Sequence, residues 1–480
     1  MGQHTVDKIG GTSMSDYRSV RDNIIFKPAG TEDLYQRVFV VSAYGGITDK
    51  LLEHKKSGDA GIYAHFAKDR NQSGWREAFD ETRQTMLDIN RDLFGESELL
   101  KEANDFLAAR LDQAQEALED LSRLCSHGHF AIDEHLATVR EMLASLGEAH
   151  SAWNMANLLK RDGVNAVFVD LTGWNASVHM SLDERIVESF NDVDLATQLP
   201  IATGYAHSET GLMTTFDRGY SEMTFSRIAV LTQAREAIIH KEFHLSSADP
   251  RLVGEDKAVP IGRTNYDVAD QLANLGMEAI HPKAAKGLRQ SKIALRVKNT
   301  FEPEHSGTLI TGDYISDAPC VEIIAGSRGV YAVELFDQEM AGEIDAFDMG
   351  VLKVLNQLGA HIIAKDINAN SITHYLAANL KTLKRVLRML GEEFPEAEIT
   401  QRKVAIVSAI GSDMKTTGML ASAVKAISEQ SINVIAMHQS MRQVDMQFVV
   451  DEEDYEVAIR SLHKELVESH NHGRAICLAS

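Results

Sequence analysis

The chain is poor in cysteine, in positive charge and in long apolar runs, and each shortage removes a class of protein. Its three cysteines, Cys125, Cys320 and Cys477, lie far apart and form no C-x-x-C pair. They read as reduced, small buried hydrophobes rather than as a disulfide framework or a zinc site. Lysine and arginine number 48 against 70 aspartates and glutamates, a net charge of -22. Nucleic acid and anionic membrane surfaces both need a basic footprint, so neither is expected as the main partner. Such an acidic chain is very soluble, and a salty cytoplasm would screen its self-repulsion. No apolar run reaches the roughly 18 residues of a membrane span, and the N-terminus lacks a signal peptide's basic start and apolar stretch. A soluble, cytoplasmic protein is expected. The 19 histidines contain no H-E-x-x-H arrangement, His127 and His129 read as a polar loop, and no metal-ligating residue is assigned.

What is present is a large, patterned chain. Its 480 residues, 44% hydrophobic and 25% charged, suit a globular protein of roughly two to four domains. A first strand ends at Ile9. "SDYRSVRDNII" (15–25) has helical spacing, with Ser15 placed to cap it. "RVFVVSA" (37–43) is a buried-strand run, and "GGITDKLLEHKK" returns to helix. Residues 75–160 are almost wholly helical and free of proline, with an amphipathic stripe in "EANDFLAARLDQAQEALEDL". "NAVFVDLTG" (165–173), "LPIATGYAH" (199–207) and "REAIIHKEFHL" (235–245) add strands, so an α/β fold on a mostly parallel sheet is predicted. "KIALRVKNTFEPEHSGTLI" (292–310) closes this region. Beyond "DAPC" (317–320) the pattern changes to two copies of strand, helix, strand, strand, over 321–376 and 403–450. The charged helix "KTLKRVLRMLGEEF" separates them, and "RAICLAS" could supply one more strand.

Two early strand-to-helix turns are rich in glycine: Gly10-Gly11-Thr12-Ser13 and Ser42-Ala43-Tyr44-Gly45-Gly46. Turns of this kind let backbone N–H groups converge on an anion. Neither is G-x-x-x-x-G-K-[ST] nor G-x-G-x-x-G. Each taken singly is equally a tight turn. Two at successive strand ends, the first preceded by Lys8, favour a polyphosphate cradle with the lysine as its point charge.

"KIGGTS" is similar to the K-x-G-G-T-S opening of aspartate kinases, and "VVSAYGGITD" resembles their second, serine- and glycine-rich loop. "LGEAHSA" (146–152) resembles the family's G-E-x-x-S stretch, "DRGYSEMT" (217–224) its R-G-G-S-D segment and "SADPRLV" (247–253) its T-A-D-P-R. The C-terminal repeats resemble paired ACT domains. The resemblance implies a three-layer α/β/α amino-acid-kinase domain over 1–315, with the helical region at about 55–160. Two α+β, ferredoxin-like ACT domains would follow, at 316–398 (which 472–480 could complete) and 399–471. It implies transfer of the γ-phosphoryl group of ATP, with Mg²⁺, to the β-carboxylate of L-aspartate. The resemblance assigns Lys8 and Glu222 to catalysis. Ser42, Thr48, Glu148, Arg218 and Ser221 go to the amino acid, with Arg218 on its carboxylate and Glu148 on its ammonium. Gly10, Gly11, Thr12, Ser13, Gly45, Gly46, Asp249 and Arg251 go to phosphate and ATP. A dimer and an amino-acid effector at the ACT domains are also implied.

The chain departs from the family pattern in three places. Tyr220 replaces the second glycine of R-G-G-S-D, and Glu222 its aspartate. "IHKEFHLS" replaces the W-T-D-V-D-G-V-Y stretch, which changes the nucleotide side at His240, Lys241 and Ser246. "LGMEAIHP" replaces F-G-A-K-V-L-H-P and puts Glu278 where a nucleotide-binding lysine is expected, leaving Lys283 as the nearby substitute. The helical insertion, these departures and the acidic balance resemble the aspartate kinases associated with ectoine synthesis. "KDINANSIT" (365–373) stands where serines are commoner in the family and leaves the effector unnamed. A kinase for another acidic amino acid, or an inactive ACT-based sensor, remain the alternatives; intact Lys8 and Arg218 speak against the second.

Overall fold

The structure, a computed structural model, describes residues 2–26, 34–55, 57–68, 73–127, 129–174, 180–277 and 279–469. Arg218 is described by its backbone alone, and Glu278, Cys477 and the segment 472–480 lie outside the described residues. Contacts divide the chain into two units, Met1–His244 with Ile280–Gly312, and Leu245–Ala279 with Asp313–Ser480.

Unit 1 is built on strands β1 (Thr5–Ile9), β2 (Arg37–Val41), β3 (Ala166–Val169), β4 (Leu199–Thr203), β5 (Glu236–Lys241), β6 (Ala294–Asn299) and β7 (Thr308–Thr311). They lie in the order β3-β4-β2-β1-β5-β6-β7, parallel except for the β6–β7 pair. The predicted mostly parallel sheet is thus the frame of this unit. The helical region resolves into α1 (Gly74–Phe94), α2 (Glu98–Cys125) and α3 (Leu136–Arg161). The first two present an apolar stripe, and α3 is buried nearly all round between Leu143 and Leu159. A helix enclosed on every side cannot show an amphipathic stripe, so its depth is hidden in the sequence. At the start of the chain the helical turn Tyr17–Ser19 is capped by Asp16, whose Oδ1 accepts from Ser19 N at 3.0 Å. Ser15, the cap expected from the sequence, does something else, described below.

Unit 2 carries β8 (Ile323–Phe336), β9 (His361–Ile367), β10 (Ser371–Ala377), β11 (Glu398–Ile410), β12 (Ala436–Gln439) and β13 (Asp445–Asp451). With helices Ile344–Gln357, Leu380–Glu393, Met419–Ser428 and Tyr455–His463 they make two βαββα repeats. The repeats share one antiparallel sheet of order β9-β10-β8-β11-β13-β12, in which the first strand of each copy pairs with that of the other. Residues 245–279 add Ile261, Val268 and Leu272 to this unit's core, beside Val321 and Ile406.

Candidate active site

The strand TVDKI is buried along its whole length although it contains Asp7 and Lys8. Successive side chains of a strand leave on opposite faces, so the two charges are separated by the sheet and each needs its own partner. Asp7 Oδ1 is bonded to His240 Nε2 at 2.8 Å and meets Arg37 Nη2 at 3.4 Å, while Oδ2 accepts from Thr5 Oγ1 at 2.7 Å. Burial raises its pKa, but Arg37, His240 and Thr5 outweigh that and hold it at about 2. His240 therefore sits beneath the sheet as a partner of Asp7.

On the other face, Lys8 is buried and its charge acts on Glu148 of α3, a carboxylate only 2% exposed. Burial pushes the Glu148 pKa up to about 8, against the opposing pull of Lys8, the Tyr220 hydroxyl and the backbone N–H groups of Tyr205 and Ala43. Glu148 Oε2 has no hydrogen-bond partner among the described residues. A buried carboxylate oxygen without a donor is costly unless something binds there. Gly204, just past β4, permits this packing: a Cβ there would lie 2.8 Å from Ser221 Cβ and 3.1 Å from Glu148 Oε1.

The two glycine turns meet at the carboxyl ends of β1 and β2, where open α/β sheets bind ligands. Ser42 N donates to Ile9 O at 3.1 Å, and Ser42 O accepts from Ser151 Oγ at 2.9 Å, which ties the second turn to α3. Ser15 Oγ donates to Gly11 O and accepts from Gly45 N at 2.9 Å, joining turn to turn. Gly11 is required by proximity, since a Cβ would stand 2.6 Å from Ala43 O. Gly46 is required by conformation, with φ at +81° ahead of the helix Ile47–Leu51 that carries Thr48. Gly10 and Thr12 are partly or fully exposed beside these turns. Ser13 is engaged already: its N–H and hydroxyl both reach Glu242 Oε1, at 3.2 and 3.1 Å, and Thr300 Oγ1 lies 3.1 Å from its oxygen. The carboxylate of Glu242 thus stands where a phosphate oxygen was expected.

Helix α4 (Tyr220–Leu231) presents Tyr220 and Ser221, both buried, to Glu148 and Gly204. Glu222 faces elsewhere: its Oε2 accepts from the N–H of His281, at the head of the helix Pro282–Gln290. Lys283, on that helix, lies with Nζ 5.0 Å from the centre of the Phe216 ring. Asp249 and Arg251 belong to unit 2, where they pair with each other, Nη2 to Oδ2 at 2.7 Å. Ser246 bridges to Pro260 in the same unit. Lys241 O accepts from Thr300 N at 2.8 Å. Among the described residues no group of three or more His, Cys, Asp or Glu is placed to hold a metal ion.

Sequence reasoning passed over a buried polar chain behind the second turn. Tyr44, 5% exposed, hydrogen-bonds Asn154 and packs edge-on against His150, with ring centres 5.3 Å apart. Asn90 Oδ1 takes bonds from both Asn154 Nδ2, at 2.8 Å, and His150 Nε2, at 2.6 Å. The available signal was polar residues at core-spaced positions of "GEAHSAWNMANLL". A second such chain runs from Glu141 Oε2 to Tyr205 Oη, 2.8 Å, whose ring meets that of Tyr220.

Comparison with known proteins places the fold that carries these two turns and the buried Lys8–Glu148 couple. The model of the amino acid kinase family matches residues 3–299, and that of an ACT domain residues 407–466. The chain belongs to the amino acid kinase family. Within it, the chain is 56% identical over 476 residues to aspartate kinase Ask_Ect of Stutzerimonas stutzeri, covering 99% of this chain and 100% of that one. The aspartokinase of Saccharomyces cerevisiae is 26% identical, over 96% and 92% of the two chains. Escherichia coli aspartokinase III, solved with aspartate and ADP, superposes with a TM-score of 0.73 at 20% identity, over 97% and 100%. The chain is therefore an aspartate kinase with a C-terminal ACT region, and as a kinase it uses ATP.

Proposed function

We propose that this protein transfers the γ-phosphoryl group of ATP to the β-carboxylate of L-aspartate, forming 4-phospho-L-aspartate, the first step of the aspartate pathway. The single observation that carries the assignment is the buried Glu148 carboxylate beside Lys8, its Oε2 unpartnered among the described residues. A site of this kind suits a ligand that brings an ammonium for Glu148 and an anion for Lys8. Aspartate supplies the first and the phosphoryl group the second.

The nucleophile is a carboxylate with a reference pKa of about 4, ionised without a general base. Catalysis then consists of positioning and charge neutralisation. Lys8 faces the transferring phosphoryl group. Gly10, Gly11, Thr12, Gly45 and Gly46 line the phosphates, and Ser13 joins them by exchanging Glu242 for a phosphate oxygen. Arg218 takes the substrate's α-carboxylate as a bidentate fork, and Ser42, Thr48 and Ser221 hold the remaining polar atoms. Glu222 contributes by fixing the Arg218–Ser221 turn to His281. Mg²⁺ enters on the ATP phosphates, held mostly by them and by water. By the family resemblance alone, Asp249 and Arg251 serve the nucleotide.

The same proposal covers the organisation of the chain: a kinase domain over 1–315, ACT domains over 316–398 and 399–471 that take an amino-acid effector, a homodimer, and a cytoplasmic setting. No helix among the described residues is long and apolar enough to cross a membrane. The name of the full-length relative, Ask_Ect, supports a place in ectoine synthesis. The test is ATP- and Mg²⁺-dependent acyl-phosphate formation trapped with hydroxylamine, offering L-aspartate and L-glutamate in turn. Aspartyl hydroxamate is expected, falling at least about 10³-fold in Lys8→Ala. Glutamyl hydroxamate in its place would select the other acidic substrate, and no product from a folded chain would select the sensor.

A further inference from the structure

Tyr220 stands where the family pattern has glycine, and its backbone does not explain the change. Its φ is -58°, an ordinary helical value that any residue adopts. The reason lies in the side chain, which is 3% exposed. The ring is fixed edge-on against Tyr205, with centres 5.7 Å apart and planes at 70°. Tyr205 is itself anchored by its hydroxyl to Glu141 Oε2 at 2.8 Å, and Glu141 Oε1 is held by Thr214 N at 2.8 Å. The phenol of Tyr220 is thereby directed to Glu148, whose Oε2 has no partner among the described residues.

We propose that Tyr220 is a positioning and specificity residue: its hydroxyl donates to the Glu148 carboxylate, favours its ionised form and aims it at the substrate ammonium, and so sets the pH range in which the amino acid binds. The proposal rests on the reading of Glu148 as the ammonium's partner. Among the described residues, the groups facing Glu148 are Lys8 from β1, the Tyr205 N–H from the segment after β4, Tyr220 from α4 and the Ala43 N–H from the second turn. Glu141, one helical stretch earlier on α3, is spent on Tyr205 and Thr214, and Glu222 on His281.

The consequence is a coupled proton. In the free protein burial raises Glu148 to about 8, so near pH 7 it holds a proton that must leave when an ammonium arrives. KM for aspartate should fall as pH rises toward 8 and then level off. Removing one donor to an ionised group favours the protonated form by roughly tenfold or more. Tyr220→Phe keeps the ring contact with Tyr205 and loses only the hydroxyl. Its KM limb should move upward by about one pH unit, with KM about tenfold higher at pH 7, converging with wild type at alkaline pH, and kcat at saturating aspartate nearly unchanged.

The experiment is the pH profile of KM and kcat for wild type, Tyr220→Phe and Glu148→Gln. Calorimetry of aspartate binding to the wild type, in two buffers of different ionisation heat, counts protons released. Glu148→Gln should abolish the limb and raise KM at every pH. If it keeps both the limb and the wild-type KM, the reading of Glu148 fails. If it behaves as expected but the Tyr220→Phe limb overlies wild type, or KM rises by one factor at all pH values, Tyr220 has no electrostatic role. Should Tyr220→Phe not fold, the wild-type proton count decides: nearly one released at pH 7 and nearly none at pH 9 supports the proposal, and an unvarying count overturns it.

Discussion

Asp7 and Lys8 are neighbours in sequence and opposites in function. Among the described residues, Lys8 acts on Glu148 across one face of the sheet, whereas Asp7 is consumed by Arg37, His240 and Thr5 on the other. The Asp7 pKa is lowered to about 2 in the folded protein from an ordinary value near 3.8. The stability it confers is therefore complete above the unfolded value and is lost as pH falls through the folded one. Thermal melts between pH 5 and 2 should show the wild type losing about 2 kcal/mol more than Asp7→Asn, which has no proton to take up there. At pH 7 the same substitution should cost about 3 kcal/mol, because the half-buried Arg37 keeps only its backbone acceptors, Ile24 O and Ile25 O, and loses its counter-charge. Parallel acid curves for the two proteins would show that Asp7 is not the group responsible.

At the scale of elements, the site depends on how closely α3 and the two glycine turns approach. Gly147, one residue before Glu148, faces Ala43 of the second turn. A Cβ there would lie 2.8 Å from Ala43 Cβ and 3.2 Å from Ile47 Cγ2. Helix propensity alone favours Gly147→Ala by about 1 kcal/mol. The contact reverses the sign: the turn must shift, and overpacking of this kind costs typically about 1–3 kcal/mol. A lower melting temperature and a raised KM for aspartate are expected together, since Ala43 N–H also serves Glu148. A more stable Gly147→Ala protein would mean that α3 and the turn are less tightly joined than the structure has them.

For the whole molecule the dominant feature is a net charge of -22. Many ion pairs decorate the surface, among them Arg402–Asp451 and Arg328–Glu456, but exposed pairs contribute little each. The surplus of like charge acts over longer distances and is screened as the Debye length falls from about 10 Å at 0.1 M salt to about 3 Å at 1 M. The melting temperature should rise by several degrees over that range of NaCl, more than in an isosmolar neutral solute. A fall with salt would mean that local ion pairs outweigh the net charge.

Much of this was legible before any coordinates. Buried-run strands, the two glycine turns and the repeated C-terminal pattern define the parallel α/β frame and the paired repeats, because such patterns record which faces are covered. Lys8 and the double glycine could be read as a candidate phosphate site because a lysine and two glycines at a strand's end are a local feature of the chain. What depends on distant contacts could not be read. Glu148 in a helical stretch looks solvated until α3 is enclosed on all sides, and His240 looks like a nucleotide contact until Asp7 is found beneath it. Ser13 looks free until Glu242, more than two hundred residues later, is seen to take both its donors. Residues 245–279, contiguous with β5 in sequence, join the core of the other unit because Ile261, Val268 and Leu272 find their apolar partners there. The sequence by itself determined which groups the protein possesses and the local elements that carry them, since both follow from short-range sterics and patterning. Only the tertiary structure decided which charges are paired, which are buried and which oxygen is left for a ligand, because desolvation and Coulomb energy depend on neighbours that folding alone assembles.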